Sequence, residues 1–126
     1  MNLVPLILPD GFVCPFIELA TSTDVEMQRV GLAGRKFVGP GAGMFFSFLL
    51  PDRHHMTMQG CLVDLDIIWL GVRHTVQSVK TARVGSKRNF YDIAGQSWAV
   101  LELAAGQAAA HGVIPGSQIR FVTLSV

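Results

Sequence analysis

Residues 56–79 read MTMQGCLVDLDIIWLGVRHTVQSV, and the middle of that stretch decides the fold. Leu65-Asp66-Ile67-Ile68-Trp69-Leu70 is a short apolar run rich in β-branched and aromatic side chains, too short for an isolated helix. Gly71 follows as a turn residue. Thr75 to Thr81 then has mixed polarity, as a return strand with one face in water does. The pair is a hairpin. Its first strand is apolar on both faces except at Asp66, so it should lie inside a sheet. Asp66 then needs a partner: a cation, backbone N–H groups or a proton.

Working outward, the 126 residues fit one domain with a real core. The chain is 50% hydrophobic and only 15% charged, with a mean hydropathy of +0.42, whereas ordinary domains carry about 25% charged residues. So little charge predicts apolar surface that meets a partner, a second copy or another protein. A net charge of +1 gives no global field for nucleic acid. Cys14 and Cys61 are far apart and form no CxxC, so reduced, unpaired thiols are expected. No apolar run reaches the length of a membrane-spanning helix. The N-terminus, MNLVPLILPDGF, lacks a basic segment, and Pro5 and Pro9 break it. No signal peptide is expected, and the chain is placed in the cytoplasm or in a virion.

Residues 1–11 form an apolar arm in which the prolines forbid a regular helix. Leu3, Val4, Leu6, Ile7 and Leu8 must pack on their own domain or dock on a neighbour. Phe12 to Ala20 is a strand, with Pro15 placing it near an edge. Thr23-x-x-Glu26 fits a capping box opening a helix over about 24–33. Gly39 to Gly43 is a turn, lacking the GK[ST] ending of a phosphate loop. Met44 to Leu50 is an aromatic strand of the core. Residues 81–89 are a polar loop. Ser97 to Leu103 is a strand offering Trp98, Val100 and Leu101 to the core. Ala105 to His111 is a short helix closed by Gly112, and Ser117 to Leu124 is a last strand with Ile119 and Phe121 on one face.

Several landmarks then align: Ala20-Thr21; Arg29-x-Gly31-Leu32-x-x-Arg35; Gly43-Met44-x-Phe46-x-Phe48; Met58 followed by Leu65-Asp66-Ile67; Val100-Leu101-Glu102-Leu103-x-Ala105-Gly106; Gly112-Val113-x-Pro115-Gly116. In order and spacing this series resembles the DUF192 family of small proteins, from about Phe16 to Val122. The resemblance implies an α+β fold, mostly β: a compact, barrel-like antiparallel or mixed sheet with one or two short helices, here residues 12–126. It implies no established activity. Relatives occur in bacteria, archaea and phage genomes and are often exported. Because the family usually begins near Phe12, the resemblance favours the arm as a docking segment. Family members carry an aromatic pair and Met-Lys-Asn-Thr before Pro-Leu-Asp. Here Met56-Thr57-Met58-Gln59-Gly60-Cys61 and Asp64 stand instead, which partly erases the polar cluster that would serve a ligand.

Candidate chemistry is sparse. His54 and His55, neighbours on a strand, would point to opposite faces, and His74 and His111 complete no zinc spacing, so no metal is expected. A Cys61–His–Asp66 arrangement can be drawn, but an inert thiol is the simpler reading of Cys61. Asp64 and Asp66 would share a strand face as a carboxylate pair. The structural alternative has Asp66 bonding loop N–H groups or pairing with Arg29 or Arg35. Glu102, and less so Glu18, pose the same question. Lys80 to Arg88, with Phe90 and Tyr91 beside it, could meet phosphates and bases, though a solvated loop is expected.

The expectation is therefore a non-catalytic structural or interaction subunit without a cofactor, whose arm grips a protein partner or a second copy. Its most concrete form is a phage virion protein, a capsid decoration or attachment subunit. The alternative is a small-molecule-binding or enzymatic domain with Arg35, Asp66 and Glu102 lining a pocket.

Overall fold

The hairpin read from the sequence forms the last two strands at one end of a five-stranded sheet. A computed structural model describes residues 2–86 and 91–122. In chain order the strands are β1 (Leu6–Ile7), β2 (Val13–Cys14), β3 (Phe16–Ala20), β4 (Ala42–Asp52), β5 (Leu65–Leu70), β6 (Val76–Ala82), β7 (Ser97–Ala104) and β8 (Arg120–Phe121). The helices are α1 (Val25–Val30) and α2 (Gln107–Ala110), and a 3-10 turn at Val72–His74 joins β5 to β6. The main sheet runs β3-β4-β7-β5-β6, and a small sheet runs β2-β1-β8. β3 pairs with β4 in parallel, and the other pairs of the main sheet are antiparallel. This is the mostly β, α+β architecture expected. It is an open sheet with β3 and β6 at its edges rather than a closed barrel.

Every residue of β5 is buried, because both faces of the sheet are covered. One face carries Phe45, Ile68, Leu70, Leu101 and Leu103 beneath the small sheet and α2. The other carries Met44, Phe46, Leu65, Ile67, Trp69 and Val100, against Leu32, Met56 and Tyr91. Strand alternation sends odd and even residues to different layers. A bulge between Trp69 and Leu70 shifts the register to β6, so Val76 and Ala82, though of equal parity, serve opposite layers. Gly43 sits where β4 and β7 come closest: a Cβ there would lie 2.1 Å from the Glu102 carbonyl oxygen.

The arm is folded home, which corrects the docking expectation. Leu6 and Leu8 are completely buried in the layer of Ile17 and Phe45. Their backbone is pinned as well: β1 pairs with β2 and β8, Val4 N–H donates to Ile17 C=O, and Leu19 N–H donates to Asn2 C=O. Pro5 and Pro9 bracket β1 rather than interrupt it. Val4 and Ile7 are partly buried, and Leu3 alone of the five stays half exposed. Ordering an apolar arm on its own core removes it from water without a second chain.

Smaller corrections follow local chemistry. The α1 cap is Asp24, whose carboxylate accepts from Met27 N–H, not Thr23, whose hydroxyl bonds Thr21. The helix spans 25–30, shorter than expected, and ends at Gly31. Trp98 is 44% exposed, on a strand whose core positions are Ala99, Val100 and Leu101. Leu49 and Leu50 are exposed, because the β4–β7 register shifts between Ser47 and Asp52. By contrast α2 ends as expected. Gly112 takes φ +71°, and Val113 N–H reaches back to Ala108 C=O, the Schellman arrangement.

Leu8→Ala should cost about 2–5 kcal/mol in urea unfolding, as for a fully buried leucine, while Leu3→Ala should stay within about 0.5 kcal/mol. Equal, small effects at both positions would mean that the arm contributes nothing to its own domain.

Candidate functional site

Three carboxyl groups are buried in the main sheet, and they meet different fates. Glu18, Met44, Glu102 and Ile67 form one row across β3, β4, β7 and β5, so both glutamates enter the layer covered by α1. Glu18 is held by Arg35, whose two terminal nitrogens donate to its two oxygens at 2.6 and 2.9 Å. That bidentate pair supplies the charge a buried carboxylate needs.

Asp66 lies on the opposite face. Leu103 is its partner on β7 and Thr81 its partner on β6. The Thr81 hydroxyl donates to Asp66 Oδ1 at 2.7 Å, and Gly106 and Ala108 N–H donate to Oδ2 at 2.9 and 3.0 Å. Helix α2 has no capping side chain of its own, so a carboxylate forty residues away in sequence takes its free N–H groups. Asp66 is a structural tie to loop N–H groups, one of the alternatives weighed for it. It pairs with neither Arg29 nor Arg35.

Glu102 has no such arrangement. It is 3% exposed, and no hydrogen bond or ion pair reaches its carboxyl among the described residues. Burial pushes its pKa up to about 8, so at neutral pH it carries a proton. It forms the floor of a cavity of about 360 Å3 between α1 and residues 54–61. Phe46 and Phe48 wall the cavity, His54, His55 and Arg29 stand along it, and Cys61 is beside the floor. Gly31, at φ +55°, keeps the space over the carboxyl open: a Cβ there would sit 3.4 Å from the Phe46 ring and 3.8 Å from Glu102 Oε1. The Cys61 thiol is pushed up to about 11, first by burial and then by the Glu102 charge, which leaves it protonated and a poor nucleophile.

The other groups around the cavity are already engaged. Arg29 donates to both oxygens of Glu26, at 3.1 and 2.6 Å. The His54 ring stacks on Phe48 with centroids 3.6 Å apart, and its Nε2 lies 3.2 Å from the Leu50 carbonyl. His55 Nδ1 lies 3.4 Å from an Asp92 oxygen. Residues 53–55 are not a strand, which is why the two histidines line one cavity and not opposite faces. Among the described residues no group of three His, Cys, Asp or Glu side chains is placed to hold a metal.

Of the expected pocket residues, then, only Glu102 lines this cavity. Arg35 and Glu18 border a separate, more open depression of about 390 Å3 on the other side of α1, and Asp66 is behind the sheet. The Cys61–His–Asp66 and Asp64–Asp66 arrangements do not form. Asp64 accepts from Val84 N–H and Arg83 instead, and these hold its pKa below the usual carboxylate range. The basic loop is similarly engaged: Lys80 donates to the Asp92 carbonyl and sits 5.6 Å from the Trp69 ring centroid. Tyr91 is buried and cannot stack on a base, while Lys87, Arg88 and Phe90 lie outside the described residues. The sequence reading missed the cavity walls. Phe46 and Phe48 carried an i, i+2 signal for one face, but nothing local places α1 over them.

An open mixed sheet covered on both faces, with a buried carboxyl that is unpaired among the described residues beneath a cavity, defines the class: a sheet-rich α+β fold. The chain belongs to the DUF192 family, an uncharacterized ACR family whose model matches residues 13–121. It is similar to a crystal structure of a protein of unknown function from Novosphingobium aromaticivorans DSM 12444, with 30% identity, 94% of this chain and 83% of that one covered, and a TM-score of 0.79. It is also similar to a candidate transcription regulator from Sinorhizobium meliloti 1021, with 28% identity, 94% and 92% coverage, and a TM-score of 0.80. No curated protein matches the sequence. No helix among the described residues is long and apolar enough to cross a membrane.

A raised acid pKa works against folding at high pH. The carboxyl is favoured protonated in the folded protein, so its contribution is complete below the unfolded value near 4.5 and is lost as pH rises toward about 8. His74, lowered by burial, has the opposite slope, which fades above pH 6.5, so the carboxyl dominates between about pH 7 and 8. There the unfolding free energy should fall with pH, by at most about 1.4 kcal/mol per unit and by about half that where the carboxyl is half ionised. Glu102→Gln should abolish this slope in chemical denaturation and be the more stable protein at pH 8.

Proposed function

We propose that this protein is a small-molecule-binding domain whose pocket is the cavity over Glu102. The observation that carries the reading is Glu102, a 3% exposed residue whose carboxyl has no hydrogen bond or ion pair among the described residues and lines a cavity of about 360 Å3. Buried polar groups are normally satisfied, and a carboxyl left unsatisfied against open space is what a ligand completes. The volume is that of an ordinary ligand site, mostly apolar with few polar groups. Phe46, Phe48 and Met56 supply apolar contact, Gly31 supplies room, and Glu102 fixes orientation. One relative is described as a candidate transcription regulator, and a pocket that takes up a small molecule is what a sensing domain requires.

A specific observation also favours the protein-partner reading. Leu49 and Leu50 are 78% and 68% exposed, and Phe37 and Val25 are 79% and 71% exposed. They supply the uncovered apolar surface that the composition predicted. The arm no longer supports that reading, because Leu6 and Leu8 are spent on the chain's own core. The virion form of it rested on the arm and on phage relatives, and has no further support.

The pocket reading is tested with methionine-methyl NMR and a library of small organic molecules. Met56 lines the cavity, while Met27 and Met44 border the other depression. Molecules with one polar group and an apolar body should shift the Met56 methyl and leave Met27 in place, and Cys61→Phe should abolish the effect by filling the space. A library that never moves the Met56 signal would end this reading.

A further inference from the structure

The polar groups around the cavity fall into two kinds, and the division points to the charge of the ligand. At the mouth stand the groups that can be positive. Arg29 is 69% exposed and its guanidinium is gripped by Glu26. His55 faces Asp92, and His54 faces the Leu50 carbonyl. Each has an acceptor within the protein. The floor holds the reverse: an acid, Glu102, that no cation pairs with among the described residues. From β4 and β5 the residues beside Glu102 in its row are Met44 and Ile67. From α1 and its end they are Gly31, Val30 and Arg29, and from residues 54–61 they are His54, His55, Met56 and Cys61. Cys61 is a titratable neighbour of Glu102 at the floor, and it is a protonated thiol.

The sheet shows what completes such a site. Glu18 occupies the same row, two strands away, and is satisfied by a guanidinium across both oxygens. We infer that the missing partner of Glu102 is an organic cation carried by the ligand, an ammonium or amidinium group on an apolar stem. The inference rests on the cavity being a ligand site at all. The walls suit a cation. Phe46 and Phe48 present aromatic surface, which attracts a desolvated ammonium by its ring quadrupole. Arg29 at the mouth is screened by solvent and already paired with Glu26, so it does not repel the guest. A neutral carbonyl ligand would use only the single proton of the acid and leave its acceptor sites empty.

The proton balance of the binding step is fixed. Below about pH 8 the carboxyl holds its proton, while an alkylamine, like a lysine side chain, ionises near 10. An ammonium ligand therefore enters as the cation, the Glu102 proton leaves to solvent, and an ammonium–carboxylate pair remains. One proton is released per ligand bound, and affinity must climb with pH by about tenfold per unit until the carboxyl is ionised in the free protein.

The probes are phenethylammonium and its uncharged counterpart phenethyl alcohol, titrated against the full chain at pH 6.5, 7.5 and 8.5 with the Met56 methyl signal and calorimetry as readouts. Phenethylammonium should bind more tightly at each higher pH, with the gain shrinking above about 8, and should release a proton at the lowest pH. Glu102→Gln should remove both the pH dependence and most of the affinity. Cys61→Phe, which leaves the acid in place, should block binding outright. If phenethyl alcohol binds equally or better, or if affinity falls with pH, the cation assignment is wrong and the pocket reading stands. If neither probe moves the Met56 signal at any pH, the cation assignment is overturned, and the pocket reading falls with it only if the wider library is silent too.

Discussion

A sheet buried on both faces leaves no wet side on which to put a charge, and that constraint organises this molecule. Each acid within the main sheet must be supplied with something. Glu18 receives a guanidinium. Asp66 receives a hydroxyl and two backbone N–H groups, and in return caps a helix of four residues that has no cap of its own. Glu102 receives nothing from the described chain and stays protonated by burial. Three acids in one apolar environment thus reach three different states, and the difference lies wholly in what the covering segments bring to them.

Much of the frame is written locally. The β5–β6 hairpin, the strand over 97–104 and the end of α2 at Gly112 follow from periodicity, β-branched content and a glycine at positive φ. What sequence cannot supply is register. Asp66 and Glu102 look alike, each an acid within an apolar strand, but β5 and β7 pair so that Ile67, not Asp66, is opposite Glu102. A shift of one residue would have put both acids on one face. A pocket shared by Asp66, Glu102 and Arg35 requires a pairing that the sheet does not have. The arm misled for a related reason. Its oiliness was plain, but its destination depends on β8, some 113 residues away from Ile7 in the chain.

The low charge of the chain now has a concrete account. Two apolar layers, not one, consume hydrophobic residues, and the arm and α2 close the second. The apolar side chains left in water are scattered, Phe16, Val72 and Ile114 among them, and Leu49 and Leu50 stand next to Phe48 of the cavity wall.

All of this depends on the state of one carboxyl. A carbon-13 NMR titration of the Glu102 side-chain carboxyl, assigned by its loss in Glu102→Gln, reads that state directly. The account predicts a midpoint near 8, well above that of the protein's exposed glutamate Glu26. A midpoint at or below the ordinary 4.5 would mean a solvated or paired carboxylate, and would contradict it.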